Sequence, residues 1–211
     1  MKNKIIKISI AIVILLYVIS ITKVGTSIKL SLTYMLARTS LNENNRIGIR
    51  GINYYGFSQD CDLDYLTEEC DRIIKHSDIW KDSYTHNVIY INDYFNLNKH
   101  NIYGLYRDGY CVIIGDNVNP NTVSHELVHS IIDQAGLSGG YLEEGYCDYI
   151  GLELYNYKTK EQFDNFLSNV QESPYTTYTK EFAYLKLMYP YISEKDLLTL
   201  DEYRYHEMTM N

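Results

Sequence analysis

Apolar and polar positions along this chain repeat with two periods, and the switches between them mark its elements. Val123, Leu127, Val128, Ile131 and Ile132 cover much of a helix circumference, which predicts a buried helix over about Thr122–Ala135. Leu63, Leu66, Cys70, Ile73 and Ile74 recur at helical spacing and predict a second helix over Asp62–His76. Asn87–Asn92, NVIYIN, alternates and is rich in β-formers, so it reads as a strand. Gly104–Arg107 and Tyr110–Ile114 flank Asp108-Gly109, and read as a strand pair or as one bent strand around that turn. Asn119-Pro120 is a helix entry. Further helical stretches run over Leu142–Tyr157, Lys160–Gln171, Tyr178–Tyr189 and Ser193–Tyr203, the last with Ser193 as N-cap and Glu194 in its first turn.

The first of these helices carries chemistry. It contains His125-Glu126-Leu127-Val128-His129, and Glu144 follows fifteen positions after the second histidine, with Asp148 four further on. Residues four apart share a helix face, so the imidazoles of His125 and His129 can converge on one metal ion. Glu126 projects about 100° away around the helix, where its carboxylate reaches a water rather than the metal. Two imidazoles and one carboxylate leave a tetrahedral zinc ion one open position, as catalysis needs. The downstream acids, four apart, share one face of the next helix.

Residues 125–151, HELVHSIIDQAGLSGGYLEEGYCDYIG, resemble the active-site helices of the thermolysin-like gluzincins, which carry HExxH, a connection, and a helix with ExxxD. The resemblance implies an α+β, zincin-like fold: a small mixed sheet with an edge strand over the cleft, an active-site helix, a glutamate helix and C-terminal helices. It implies a zinc metallopeptidase, with one Zn2+ per chain bound by His125, His129 and Glu144 and with Glu126 as general base. Asp148 would accept a hydrogen bond from the first histidine and fix its tautomer. Asp133 matches an aspartate of the thermolysin-type helix, although a surface or helix-end role is the preferred reading. By the same resemblance an extended peptide pairs with a strand lining the cleft, Tyr110, Val112 and Ile114 or the nearby Gly104–Arg107; an ordinary edge strand is the other reading. The oxyanion donor that such enzymes use would be Tyr178, with Tyr175 next and His206 behind, since chain ends fray.

Two departures bear on this. Only fourteen residues separate His129 from Glu144, so the connection must be a tight turn, for which Leu137-Ser138-Gly139-Gly140 has the composition. Glu143 is a rival ligand, but Asp148 stands four positions after Glu144 whereas Cys147 stands four after Glu143, so Glu144 is preferred. Metzincin spacing is excluded, because Ile132 and Ala135 occupy the positions where Gly and His are required. A reading of another class is a catalytically inactive, zinc-binding, membrane-anchored module; the intact Glu126 argues against it, because a structural site needs no base.

The N-terminus adds an anchor. Ile5–Thr22 spans eighteen residues of which only Lys7 is charged, long enough to cross a bilayer if Lys7 snorkels. No small-residue cleavage pattern follows, so the segment reads as a signal anchor rather than a cleaved signal peptide. This divides the chain into an anchor over 1–24, a juxtamembrane segment over 25–45 ending in the polar Asn42–Asn45, and a metallopeptidase domain over 46–211. The short basic start favours an N-in orientation with the domain outside the cytoplasm. Residues 1–24 hold four lysines and no acid, so the rest carries fifteen basic against 27 acidic residues, a net charge of −12. That argues against nucleic acid as a partner; the resemblance implies a peptide or protein substrate. With 45% hydrophobic residues the chain can fill a core. Of the four cysteines, Cys61 and Cys70 are too far apart to bridge within one helix, and Cys111 could face Cys147; free buried thiols are the equal alternative.

Overall fold

A computed structural model describes residues 23–41, 46–57, 63–115, 120–169, 176–200 and 205. Its elements are α1 (Lys23–Thr39), β1 (Ile47–Ile49), β2 (Ile52–Tyr55), α2 (Leu63–His76), β3 (His86–Ile91), β4 (Gly104–Arg107), β5 (Tyr110–Ile114), α3 (Pro120–Gln134), α4 (Glu143–Gly151), α5 (Lys160–Asn169), α6 (Thr176–Met188) and α7 (Glu194–Leu198). The architecture is α+β around one mixed sheet in the order β1-β2-β3-β5-β4. The three inner strands are parallel, and an antiparallel strand closes each side.

Alternation along the strands sorts their side chains into two cores. Ile52, Tyr54, Val88, Cys111 and Ile113 join Leu127, Ile131, Tyr146 and Phe182 in the larger core, under α2, α3, α4 and α6. Tyr55, Ile89, Ile91, Val112 and Ile114 face the other way and pack with Tyr34 and Ala37 of α1. Within the segment expected to be juxtamembrane over 25–45, the chain to Thr39 is helix α1, whose buried face covers the apolar side of the sheet. Asn42–Asn45 and residues 1–22, and with them all but the last two residues of the anchor expected over 1–24, lie outside the described residues. Among those described, no helix is long and apolar enough to cross a membrane.

Residues 104–114 form a true hairpin. Asp108 (φ 49°) and Gly109 (φ 83°) both take left-handed backbone conformations, those of a two-residue turn that follows the strand twist. β5 pairs with β3 on its other side and is interior, so β4 is the edge. α4 ends at Gly151 instead of running to Tyr157, after which a single 3-10 turn spans Leu154–Asn156. Helix α7 begins as expected, the Ser193 side chain accepting from the Asp196 amide. At the crossing of α4 and α6, any side chain at Gly145 would run into the Tyr178 carbonyl, so glycine there lets the two backbones touch.

Candidate metal centre

The site sits where α3 and α4 pack beneath the edge of the sheet. Both histidines leave α3 on one face, their rings 5.0 Å apart and steeply inclined. Each is anchored through Nδ1 to a carboxylate of α4: His125 to Asp148 Oδ1 at 2.9 Å and His129 to Glu143 Oε1 at 2.7 Å. The second oxygens are held as well. Thr179 of α6 donates to Asp148 Oδ2 at 2.5 Å, and the Gly139 amide donates to Glu143 Oε2 at 2.6 Å. With Nδ1 committed to donation, both Nε2 atoms are left to point at a common centre.

Glu144 Oε2 faces that centre, 3.2 Å from His125 Nε2 and 3.5 Å from His129 Nε2. It is buried and makes no hydrogen bond among the described residues, which is costly for a carboxylate oxygen. Ligands 2.0–2.2 Å from a tetrahedral ion stand about 3.3–3.6 Å apart. The two separations, 3.2 and 3.5 Å, are close to that range. Glu143, the rival ligand, directs its two oxygens to His129 Nδ1 and to the Gly139 amide instead.

Cys147 adds a further donor. One ligand atom each from His125, His129 and Cys147 lies within 4.8 Å of the others, so these three residues form a group able to hold a metal ion. Cys147 is fully buried, and burial pushes its thiol pKa up against the opposing pull of His129 and His125. Cys111 is not its disulfide partner: Cys70, Cys111 and Cys147 are all free. The Cys111 thiol donates instead to the Glu126 carbonyl at 3.1 Å. Cys61 lies outside the described residues.

The electrostatics favour a cation. Four carboxylates, Glu126, Glu143, Glu144 and Asp148, crowd two imidazoles. Burial alone depresses the His125 pKa, but the nearby carboxylates of Asp148 and Glu144 reverse that and raise it well above the usual range. His129 also ends raised, burial being outweighed by Cys147, Glu143 and Glu144. Burial raises Glu144 too, yet its contacts with the two imidazoles bring it down to about 2. Positive charge is what the pocket lacks.

Glu126 is the base candidate, and its place is cut out for it. It lies 7% exposed, and burial raises its pKa above the normal carboxylate value, the nearby imidazoles opposing. Its carboxylate presses on β4: a Cβ at Gly104 would stand 2.6 Å from Oε1. Both residues line a cleft of about 730 Å3, together with Tyr103, Leu105, Tyr106, His125, His129 and Glu144.

Tyr110, Val112 and Ile114 do not line the cleft: β5 is interior, and these residues turn toward α1 on the far side of the sheet. The cleft strand is β4. Ile114 donates its amide to the Tyr103 carbonyl at 2.8 Å, so the register turns the odd residues of β4 toward β5. The amides and carbonyls of Gly104 and Tyr106 therefore face the open edge. Tyr178 is likewise not among the cleft's lining residues; its ring packs edge-on to Tyr141 at 5.3 Å. Tyr175 and His206 lie outside the described residues. Asp133 accepts from the Tyr106 hydroxyl at 2.6 Å and from Ser138 at 3.1 Å, tying the end of α3 to β4 and to the turn.

Sequence reasoning missed the roles of Glu143, Thr179 and Gly104. A signal for Glu143 was present: the second histidine needs a partner of its own, and Glu143 is the acid on α4 left over once Glu144 and Asp148 are assigned. Comparison with protein-family models, with curated proteins and with solved structures finds no match for this chain.

Proposed function

We propose that this chain is a zinc-dependent metallopeptidase of gluzincin type, with a zincin-like fold and an N-terminal membrane anchor. The observation that carries the reading is the buried Glu144 Oε2, without a hydrogen-bond partner among the described residues and set 3.2 and 3.5 Å from the two Nε2 atoms. His125, His129 and Glu144 would hold the ion. A zinc ion there supplies Lewis acidity and lowers the pKa of water toward neutrality.

The chain's own residues do the rest. Glu126, seated against Gly104, takes the proton of the attacking water and returns it to the departing amine. Asp148 and Glu143 hold the imidazoles in the required tautomer. The substrate is a peptide or protein in extended form. It pairs with the outward amide and carbonyl groups of Gly104 and Tyr106 by strand addition, which brings its backbone alongside Glu126.

Metal content by mass spectrometry on the full chain and on Glu144→Ala tests the site. About one zinc per parent chain and almost none in the variant supports the three-ligand centre. No zinc in a folded parent that never met a chelator overturns it.

Cys147 motivates a second reading. If its thiolate joins the three ligands, protein fills all four positions and the domain is a zinc-stabilised binding module. Cobalt substitution separates the two, because a thiolate ligand produces an intense near-ultraviolet charge-transfer band that Cys147→Ser abolishes. The peptidase reading expects no such band.

A further inference from the structure

Among the described residues, none covers the outer face of α1. Ile28, Leu32, Met35 and Leu36, spaced as one stripe of the helix, are between 41% and 63% exposed. The opposite face, with Tyr34 and Ala37, is sealed onto the sheet. A soluble surface rarely carries such a continuous apolar strip.

Three observations say what covers it. First, α1 contains Lys23, Lys29 and Arg38 and no acidic residue, in a chain of net charge −8. A helix that is apolar on one side and basic in charge matches an anionic bilayer surface. Second, α1 directly follows Ile5–Thr22, eighteen residues with the single charge of Lys7. A helix tethered at that point meets the membrane at high effective concentration. Third, the strip is flanked by exposed tyrosines, the residue type that settles at headgroup depth. Tyr94 shares a surface hollow with Leu36, and Tyr103 shares the cleft wall with Leu30 of α1.

We infer that α1 is a membrane-docking helix, lying along the bilayer surface with Ile28, Leu32, Met35 and Leu36 in the headgroup–acyl boundary. Leu30 belongs both to this helix and to the cleft, so docking holds the cleft mouth at the lipid surface. Resting on the peptidase reading, the substrate class follows: polypeptide segments lying at or emerging from the membrane surface, rather than freely diffusing proteins.

The test uses the full chain in vesicles of phosphatidylcholine and phosphatidylglycerol. Cys61→Ser leaves the buried thiols Cys70, Cys111 and Cys147, and an environment-sensitive fluorophore is placed at Met35→Cys or, as control, at the fully exposed Tyr191→Cys. Lipids carrying a shallow nitroxide are expected to quench the label at 35 several-fold more than the label at 191. Adding Ile28→Glu and Leu32→Glu, both at exposed positions, should release label 35 from the lipid quencher while the near-ultraviolet circular dichroism stays unchanged. A label at 35 as open to aqueous iodide as that at 191 overturns the inference. So does one shielded from both iodide and nitroxide lipid, which would mean a protein cover, either a second copy or the apolar N-terminal run. No metal or hydrolysis enters the measurement, so an inert site with a docked helix is distinguished from an active site on an undocked one.

Discussion

Glu143 Oε1 stands 2.7 Å from His129 Nδ1, the same relation that Asp148 bears to His125 at 2.9 Å. On the peptidase reading, neighbouring acids on one short helix therefore take different tasks, Glu143 orienting a ligand and Glu144 facing the centre. Glu143→Gln removes the charge that makes His129 a stronger ligand, and it sets an amide nitrogen against the Gly139 amide or against Nδ1. Zinc affinity should fall by about 10–100-fold, read by competition with a chromophoric chelator. An unchanged affinity would reduce Glu143 to a clasp on the 137–140 turn.

Glu126 makes no close contact with the convergent Nε2 atoms and rests on the edge strand instead. Glu126→Gln should accordingly keep its zinc and lose hydrolysis by at least about 100-fold, within the range for a general base. Metal content and peptide cleavage are measured on one preparation. Undiminished cleavage would remove Glu126 from the chemistry.

Gly104 is a sharper probe of the same group. A methyl there would occupy the place of Glu126 Oε1, at 2.6 Å, without touching a metal ligand. Gly104→Ala should leave zinc content intact and slow turnover by about 100-fold, since a displacement of ~1 Å at a reacting group costs that much. Gly48, where a Cβ meets nothing within 4 Å, provides the control substitution. Equal rates for the two variants would show that Glu126 moves aside without consequence.

The sequence disclosed what depends on short range and strong patterning. Helices α2 and α3 and the 104–114 hairpin follow from local periodicity and an Asp-Gly turn, and the convergence of His125 and His129 follows from helical spacing alone. What depends on non-local pairing was out of reach. Whether β4 or β5 forms the edge is decided by β3, which pairs with Tyr110–Ile114 in parallel; nothing within the hairpin encodes that choice. Both strands carry apolar residues, so pattern alone leaves either of them as the cleft strand. The fate of α1 was hidden for a related reason: its moderate apolarity acquires a direction only when the sheet exists to receive it. Thr179 reaches Asp148 across 31 positions, and Gly104 owes its importance to a carboxylate 22 residues on.

A last prediction concerns stability away from the site. Glu194, at the start of α7, is 4% exposed; it accepts from the Tyr146 hydroxyl at 2.5 Å and the Asp78 amide at 3.0 Å. Burial, opposed by the Tyr146 hydrogen bond and reinforced by the Asp78 charge, lifts its pKa from 4.5 to about 7. The folded state thus holds a proton that the unfolded chain has released between those values. Stability from this group is fully present below pH ~4.5 and is lost as pH rises through 7, a loss of roughly 3 kcal/mol at most. His86, whose pKa burial lowers to about 4, works in the opposite direction, losing stability as pH falls from its unfolded value toward 4. Since His86 is present in both chains, the difference between wild type and Glu194→Gln isolates the carboxyl. Denaturant unfolding from pH 5 to 8 should show the wild type falling relative to the variant as pH rises. Parallel profiles would mean that Glu194 is ionised throughout, with Tyr146 and Asp78 paying the whole cost of its burial.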